Sequence, residues 1–103
     1  MLEACERMAD FISELDETRF LNSELHQAAV LQKLSVIGEG ASRVSKSLRE
    51  AHPEIEWRAM VGFRNIAVHA YFSIQWEIVW ATAQNDIPLL WAQLQTLSED
   101  LGP

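Results

Sequence analysis

The 103-residue sequence has few of the residues that mark several common protein classes. Its single cysteine, Cys5, cannot form an internal disulfide, and no group of Cys and His residues has the spacing of metal ligands. With only 4 Gly and 3 Pro against 49% hydrophobic residues, the composition is that of a folded, mostly helical protein rather than a disordered one. We therefore expect a single domain over residues 1–103, with no metal ion and no cofactor.

Long apolar runs are also missing. No segment approaches the roughly 20 consecutive apolar residues of a membrane-spanning helix. The first residues, MLEACERMADF, carry acids where a secretory signal would carry basic residues. The sequence therefore predicts a soluble, cytoplasmic protein, and an unpaired cysteine fits that reducing compartment.

Basic residues are scarce, with 8 Lys and Arg against 15 Asp and Glu, and the formal charge of −7 argues against broad, sequence-independent binding to nucleic acid. Their distribution is nevertheless uneven. Six of the eight lie between positions 33 and 64: Lys33, Arg43, Lys46, Arg49, Arg58 and Arg64. Any site for an anion is therefore expected in the middle of the chain. The acidic segment up to Glu24 could meet a basic partner, although a solvated helix face is the simpler interpretation.

Apolar residues recur at intervals of three and four along most of the chain, which predicts an all-α fold. Capping and breaking residues then divide the chain into five predicted helices: Leu2 to Leu15; Asn22–Ser23 to about Glu50; about Pro53 to Tyr71; a fourth capped by Ser73; and a fifth restarted at Asn85–Asp86 and Pro88. The acidic Glu54 and Glu56 suit the first turn of the third helix, while Gly38 and Gly40 indicate a close helix crossing or a bend. We expect an antiparallel bundle of four to five helices.

Four side chains that can take part in catalysis or ligand binding lie within residues 64–71: Arg64, Asn65, His69 and Tyr71. A guanidinium, an amide, an imidazole and a phenol can hold a phosphate and move a proton beside it. The reaction that best uses them without a metal is cleavage of RNA through its own 2′-hydroxyl. His69 would act as acid or base, Arg64 would offset phosphoryl charge, and Asn65 would orient the imidazole or bind the phosphate.

A purely structural interpretation stays open, because a lone His or Arg on a helix is usually a packed or solvated residue. Tyr71 alone would be a residue at the edge of the core. His26 and His52 lack such neighbours and are interpreted as structural. The four tryptophans are spaced as core or interface residues, although indole rings can also stack on bases: Trp57, Trp76, Trp80 and Trp91.

Helical geometry limits what one copy of this motif can do. At about 100° per residue, Asn65 and His69 share a face, Arg64 and Tyr71 are nearly eclipsed, and Arg64 and His69 lie about 140° apart. Convergence would need a distortion near Gly62, long side chains that bend around the helix, or two copies meeting across a two-fold axis. The last option also suits a small domain that gains burial by forming a homodimer.

The sequence resembles the HepT-like toxins of the HEPN superfamily, small all-helical proteins whose motif in this branch is Arg-x4-His-x-Tyr. Arg64, His69 and Tyr71 match it, with Asn65 directly after the arginine. The similarity extends to further segments: Val36–Glu39, His52–Ile55, Trp57–Arg58, Tyr71–Phe72, Glu77–Trp80 and Asn85–Pro88. Nearly the whole chain is therefore covered by the resemblance.

The resemblance implies a metal-independent endoribonuclease toxin that acts as a homodimer, with Arg64 and His69 of both chains lining a cleft at the interface. It also implies a partner, a minimal nucleotidyltransferase antitoxin that silences the toxin by transferring AMP from ATP to Tyr71. The alternative is a non-catalytic helical subunit that supplies a substrate or nucleotide site to a nucleotidyltransferase complex. That alternative predicts no RNA cleavage by the purified chain.

Overall fold

The computed structural model describes residues 1–69 and 73–100, and for residues 67–69 it describes the helical backbone alone. The α-helices in this part of the chain are α1 Leu2–Ile12, α2 Glu17–Leu21, α3 Glu24–Ser42, α4 Lys46–Ala51, α5 Trp57–His69, α6 Trp76–Ala81 and α7 Ile87–Asp100, with a π-helical segment at Thr82–Asp86. These residues contain no β-strand. The predicted all-α class is therefore confirmed.

Helix α3 lies at the centre, packed against α1 on one side and α5 on the other, while α1 also contacts α7. Met1, at the start of α1, lies against Gly40 near the end of α3, as expected for antiparallel neighbours. The largest fully buried side chains come from α1, α2, α3, α5 and α7: Phe20, Met8, Leu34, Ile37, Met60, Ile87, Val30 and Cys5. One core therefore joins these helices, together with Val79 and Trp80 of α6, whereas α4 contributes no fully buried side chain.

The first predicted helix ends three residues early, at Ile12, and an additional short helix follows it. Asp16 accepts a hydrogen bond from the backbone N–H of Arg19 at 2.8 Å and so caps α2. The helix carries Phe20 into the core, where its ring lies 5.3 Å from that of Trp80. This helix was not predicted because five residues are too few to show a period.

The long second helix predicted to reach Glu50 is in fact two helices, α3 and α4, separated at residues 43–45. Ser45 has extended backbone angles and accepts the N–H of Leu48 at 3.2 Å, so it caps α4. Arg49 donates to the carbonyls of Val44 at 3.1 Å and of Ser42 at 3.3 Å, which satisfies oxygens freed by the break. The predicted cap at Ser23 is confirmed, since its hydroxyl accepts the His26 N–H at 3.3 Å.

The third predicted helix begins four residues later than expected, at Trp57. His52 ends α4, and its carbonyl accepts a hydrogen bond from the Trp57 indole N–H at 3.0 Å, which fixes the start of α5. Glu54 and Glu56 therefore lie before α5 rather than in its first turn, and the Glu56 carbonyl accepts the N–H of Met60 at 3.1 Å. The predicted end at Tyr71 lies outside the described residues.

The fourth and fifth predicted helices are not separated. Gln75, and not Ser73, is the N-cap of α6, and the chain continues through the π-helical segment directly into α7. The N–H of Ile87 bonds to the carbonyl of Thr82, five residues back. A wide π turn at this point accommodates Pro88, which has no N–H to donate and would crowd a regular α-helix. The predicted restart at Asn85–Asp86 is therefore a change of pitch.

None of the helices in residues 1–69 and 73–100 combines the length and hydropathy that a bilayer crossing requires. Among the described side chains, those of residues 1–66 and 73–100, no cluster of three or more His, Cys, Asp or Glu could hold a metal ion.

Candidate functional site

Three of the four predicted site residues lie on α5. Arg64 and Asn65 are exposed in its C-terminal half, and His69 is its last residue. The side chain of His69 and the whole of Tyr71 lie outside the described residues. The backbone is α-helical from Trp57 to His69 without interruption at Gly62, so the distortion considered there is not found. Arg64 and His69 thus differ by about 140° around the helix axis.

Gly38 sets the position of Arg64, because α3 and α5 cross there at very short range. A Cβ atom on Gly38 would lie 2.7 Å from the backbone nitrogen of Arg64 and 2.9 Å from the carbonyl oxygen of Met60. Both atoms belong to the backbone of α5 and cannot rotate away. Of the two interpretations of this glycine, a bend or a crossing, the structure confirms the crossing. Arg64 therefore stands on a backbone that is fixed against the centre of the fold.

Glu39, the next residue on α3, faces Arg64 across this crossing. Its Oε1 lies 3.4 Å from Nε of Arg64, and both side chains are about half exposed, at 44% and 48%. Because solvent screens an exposed pair, this one contributes at most about 1 kcal/mol to stability. The contact involves Nε, and a guanidinium carries four further N–H donors on its two terminal nitrogens. An anion could bind these terminal donors while Glu39 remains in contact with Nε of Arg64.

Glu39 received no role from the sequence pattern, although it belongs to the Val36–Glu39 segment that carries the resemblance. Spacing along one helix cannot reveal it, because it lies on α3 and Arg64 on α5. The only available signal was the glycine before it. A glycine at a helix crossing places its neighbours beside the partner helix, and here one of those neighbours is an acid.

Asn65 borders a shallow groove of about 590 Å³ on the other side of α5. Its remaining lining comes from α4 and from the first half of α5: Arg49, Glu50, Trp57, Arg58, Val61 and Gly62. Trp57 is buried and forms the floor, while Arg58 and Asn65 are exposed. The groove therefore brings two arginines from the middle of the chain beside the motif helix, and an anion site there stays a prediction.

The two other histidines have local structural contacts, as interpreted from the sequence. His26 Nδ1 lies 2.6 Å from the Ser23 hydroxyl at the start of α3. His52 is the C-cap of α4, and its Nδ1 lies 3.2 Å from Oε1 of Glu54. Both imidazoles therefore have local contacts at helix ends, consistent with structural roles.

Cys5 is the other potentially nucleophilic side chain, and it lies apart from α5. It is 1% exposed, and burial raises the pKa of its thiol to about 11. A thiol with this pKa is protonated at neutral pH and is a poor nucleophile. It is a core residue.

The tryptophans divide between core and surface. Trp57 and Trp80 are buried, and Trp76 packs edge-on against Phe20 with ring centroids 6.2 Å apart. Trp91 is 36% exposed and donates its indole N–H to Glu6 at 3.2 Å. Base stacking is therefore excluded for Trp57 and Trp80 in this conformation.

Comparison with known proteins connects this geometry to a chemistry. The family model described as HepT-like ribonuclease matches residues 1–97. A Thermococcus cleftensis protein named "Probable ribonuclease HepT" is 35% identical over 95 residues, which are 92% of this chain and 86% of the relative. A Methanocaldococcus jannaschii protein named "Putative RNase MJ1380" is 33% identical over 88 residues, or 85% of this chain and 81% of the relative. No solved structure matches the chain.

Proposed function

Because the chain belongs to the HepT-like ribonuclease family, we propose that it is a metal-independent endoribonuclease and the toxin of a toxin–antitoxin pair. The observation that supports this most directly is the placement of Arg64. Its guanidinium is exposed, yet its backbone is held at the close crossing of α3 and α5, five residues before His69. A cation on a fixed backbone and a histidine on the same helix are two groups that phosphodiester cleavage uses: the first offsets phosphoryl charge and the second transfers a proton.

In the proposed reaction the 2′-hydroxyl of the RNA attacks the adjacent phosphorus. The new P–O2′ bond forms as the P–O5′ bond breaks, which gives a 2′,3′-cyclic phosphate and a 5′-hydroxyl. His69 takes the proton from the 2′-hydroxyl or supplies one to the leaving 5′-oxygen. Arg64 stabilises the charge that develops on the non-bridging oxygens, and Asn65 orients the imidazole or binds the phosphate. DNA has no 2′-hydroxyl and would not react.

A homodimer supplies the complete site in this proposal. Arg64 and His69 occupy positions about 140° apart on a continuous helix, so one copy does not easily bring both to one phosphate. Two copies of α5 across a two-fold axis would place Arg64 of one protomer beside His69 of its partner. A 103-residue domain would also gain buried surface from such an interface.

The partner in this proposal is a nucleotidyltransferase that transfers AMP from ATP to the hydroxyl of Tyr71. The phenol oxygen attacks the α-phosphorus, pyrophosphate leaves, and the toxin then carries a bulky anion two residues from His69. That anion would compete with the RNA phosphate for Arg64 and obstruct the site.

The test is incubation of the purified chain and its His69→Ala variant with total RNA and tRNA in the presence of a chelator. We expect the wild-type chain to produce fragments ending in 2′,3′-cyclic phosphate. The variant should keep the wild-type oligomeric state and produce none. Equal cleavage by both proteins would remove His69 from the mechanism. Complete absence of cleavage by the wild type would favour a non-catalytic subunit of a nucleotidyltransferase complex.

A further inference from the structure

The face of α5 that carries Asn65 extends well beyond the motif. Arg58, Gly62, Asn65 and His69 follow one another at intervals of four, three and four residues, so they form a single stripe along the helix. Arg58 and Asn65 are exposed and Gly62 is partly exposed. We call this stripe the Arg58 face. Three members of this face, Arg58, Gly62 and Asn65, line the groove that also includes Arg49.

Gly62 is the unusual member of the Arg58 face. An added Cβ there would have no heavy atom within 4 Å, whereas one on Gly38 would collide with the backbone of α5. A glycine in a helix interior is less favourable than alanine by about 1 kcal/mol, and no contact within the described chain requires the glycine at position 62. Because Gly62 has no side chain, a ligand or another molecule could contact the backbone of α5 directly at this position.

The charged residues around Gly62 indicate that a ligand at this position would be anionic. Arg58 is exposed and forms no ion pair within the described residues. Arg49 is held at the groove by its bonds to the carbonyls of Val44 and Ser42. The one acid in the lining, Glu50, lies 3.9 Å from Lys46. The groove therefore carries two arginines against one acid, in a chain whose formal charge is −7.

We propose that the Arg58 face is a subsite for the sugar-phosphate backbone of RNA. This rests on the proposed ribonuclease function and extends it. Arg58 binds a phosphate some nucleotides away from the one that is cleaved, since it lies eleven residues before His69, or about 16 Å along the helix. Gly62 lets the strand lie directly against α5, and Asn65 connects this subsite to the reacting phosphate. Arginine suits this role because its planar fork binds phosphate through paired N–H donors.

The first test compares Arg58→Ala with Arg19→Ala, an exposed arginine on α2 that undergoes the same change of charge. With a short single-stranded RNA, Arg58→Ala should raise KM about tenfold and leave kcat unchanged, because it removes one charge-assisted contact far from the reacting atoms. The slope of log(kcat/KM) against log[salt] should also become shallower by about 0.7. Arg58→Lys should recover part of the loss. Equal effects of Arg58→Ala and Arg19→Ala would overturn the proposal.

The second test is Gly62→Ala. Because a methyl group there meets nothing within the described chain, the variant should unfold at a higher temperature than the wild type. It should nevertheless have a raised KM, because the methyl group keeps the strand away from the helix. A purely structural glycine would not give greater stability together with weaker substrate binding. Unchanged KM would contradict the subsite.

The third test separates this proposal from the ribonuclease function. Binding of a 2′-O-methyl oligoribonucleotide, which cannot be cleaved through its 2′-oxygen, is measured by fluorescence anisotropy with wild type, Arg58→Ala and Gly62→Ala. Weaker binding by both variants supports the subsite even if the wild type cleaves nothing. If the variants instead shift a dimer to monomer in sedimentation while oligonucleotide binding is unchanged, the Arg58 face is a protein interface and the proposal is wrong.

Discussion

Nε of Arg64 on α5 lies 3.4 Å from Oε1 of Glu39 on α3, at the point where the two helices cross. The cation proposed to bind phosphate is thus already beside an anion. An approaching phosphate would bind the terminal nitrogens of the guanidinium and would be repelled by the Glu39 carboxylate. Glu39 therefore has two opposing effects: it holds the Arg64 side chain in place, and its negative charge weakens the attraction of Arg64 for RNA phosphate.

Glu39→Gln should tighten substrate binding. The change removes a negative charge beside Arg64, so KM for RNA should fall several-fold, most clearly at low ionic strength. The melting temperature should change little, because a half-exposed pair contributes at most about 1 kcal/mol. Glu3→Gln, an exposed acid on α1, is the matched control and should leave KM unchanged. A higher KM in Glu39→Gln would show that holding Arg64 in place matters more than repulsion.

The three glycines in the described helices should respond differently to the same substitution. Gly38→Ala should lower the free energy of unfolding by about 2 kcal/mol or more, because the new methyl group overlaps the backbone of α5 near Arg64. Gly40→Ala should cost less, since its nearest neighbour is the flexible side chain of Met1. Gly62→Ala should stabilise by about 0.5–1 kcal/mol. Urea denaturation of the three variants measures these values, and the same sign in all three would contradict the crossing geometry.

The all-α fold was predictable because the apolar period runs through every long helix, but the positions of the helix ends were harder to predict from the sequence. Ser23 was a correct cap because its side-chain bond is local in sequence. The cap at Ser45 is equally local, and the bond from Trp57 to His52 spans only five residues, but apolar residues continue at helical spacing through both breaks. Periodicity therefore extended helices through breaks that it could not detect.

The candidate site shows the same division. The placement of Arg64 and Asn65 on one helix follows from the motif, since their spacing is short and local, whereas their exposure is seen only in the structure. Glu39 and Arg49 reach the site from other helices, and no spacing along the chain relates them to it. The two glycines Gly38 and Gly62 look alike in the sequence. Only the packing shows that the space beside Gly38 is occupied by the backbone of α5, whereas the space beside Gly62 is empty.

Stability should fall as pH rises above about 9, in part because of Cys5. An unburied thiol has an ordinary pKa of 9.0, and burial raises the pKa of Cys5 to about 11 in the folded chain. Between these values the unfolded chain loses a proton that the folded chain retains, so ionisation favours unfolding. A pKa difference of this size corresponds to about 2–3 kcal/mol of stability once it is fully lost. The contribution of the thiol is the difference between wild type and Cys5→Ala in urea denaturation from pH 8 to pH 11. Parallel curves would show that Cys5 ionises normally.

Tyr71→Phe should abolish labelling of the chain when it is incubated with its proposed nucleotidyltransferase partner and α-labelled ATP. Tyr71 is the only tyrosine in the sequence, so this variant removes every phenol and leaves the ring in place. His69→Ala is the matched control, because it retains the acceptor hydroxyl and should still be labelled.

The two variants should also separate modification from toxicity. If AMP silences the chain by occupying the anion site near Arg64, labelled wild type should lose RNA cleavage, whereas Tyr71→Phe should keep cleaving in the presence of the partner and ATP. Label that persists in Tyr71→Phe would place the acceptor on another side chain and would contradict the role of Tyr71. Cleavage that persists in fully labelled wild type would show that the nucleotide does not block the site, and the proposed role of Tyr71 as a switch would be wrong.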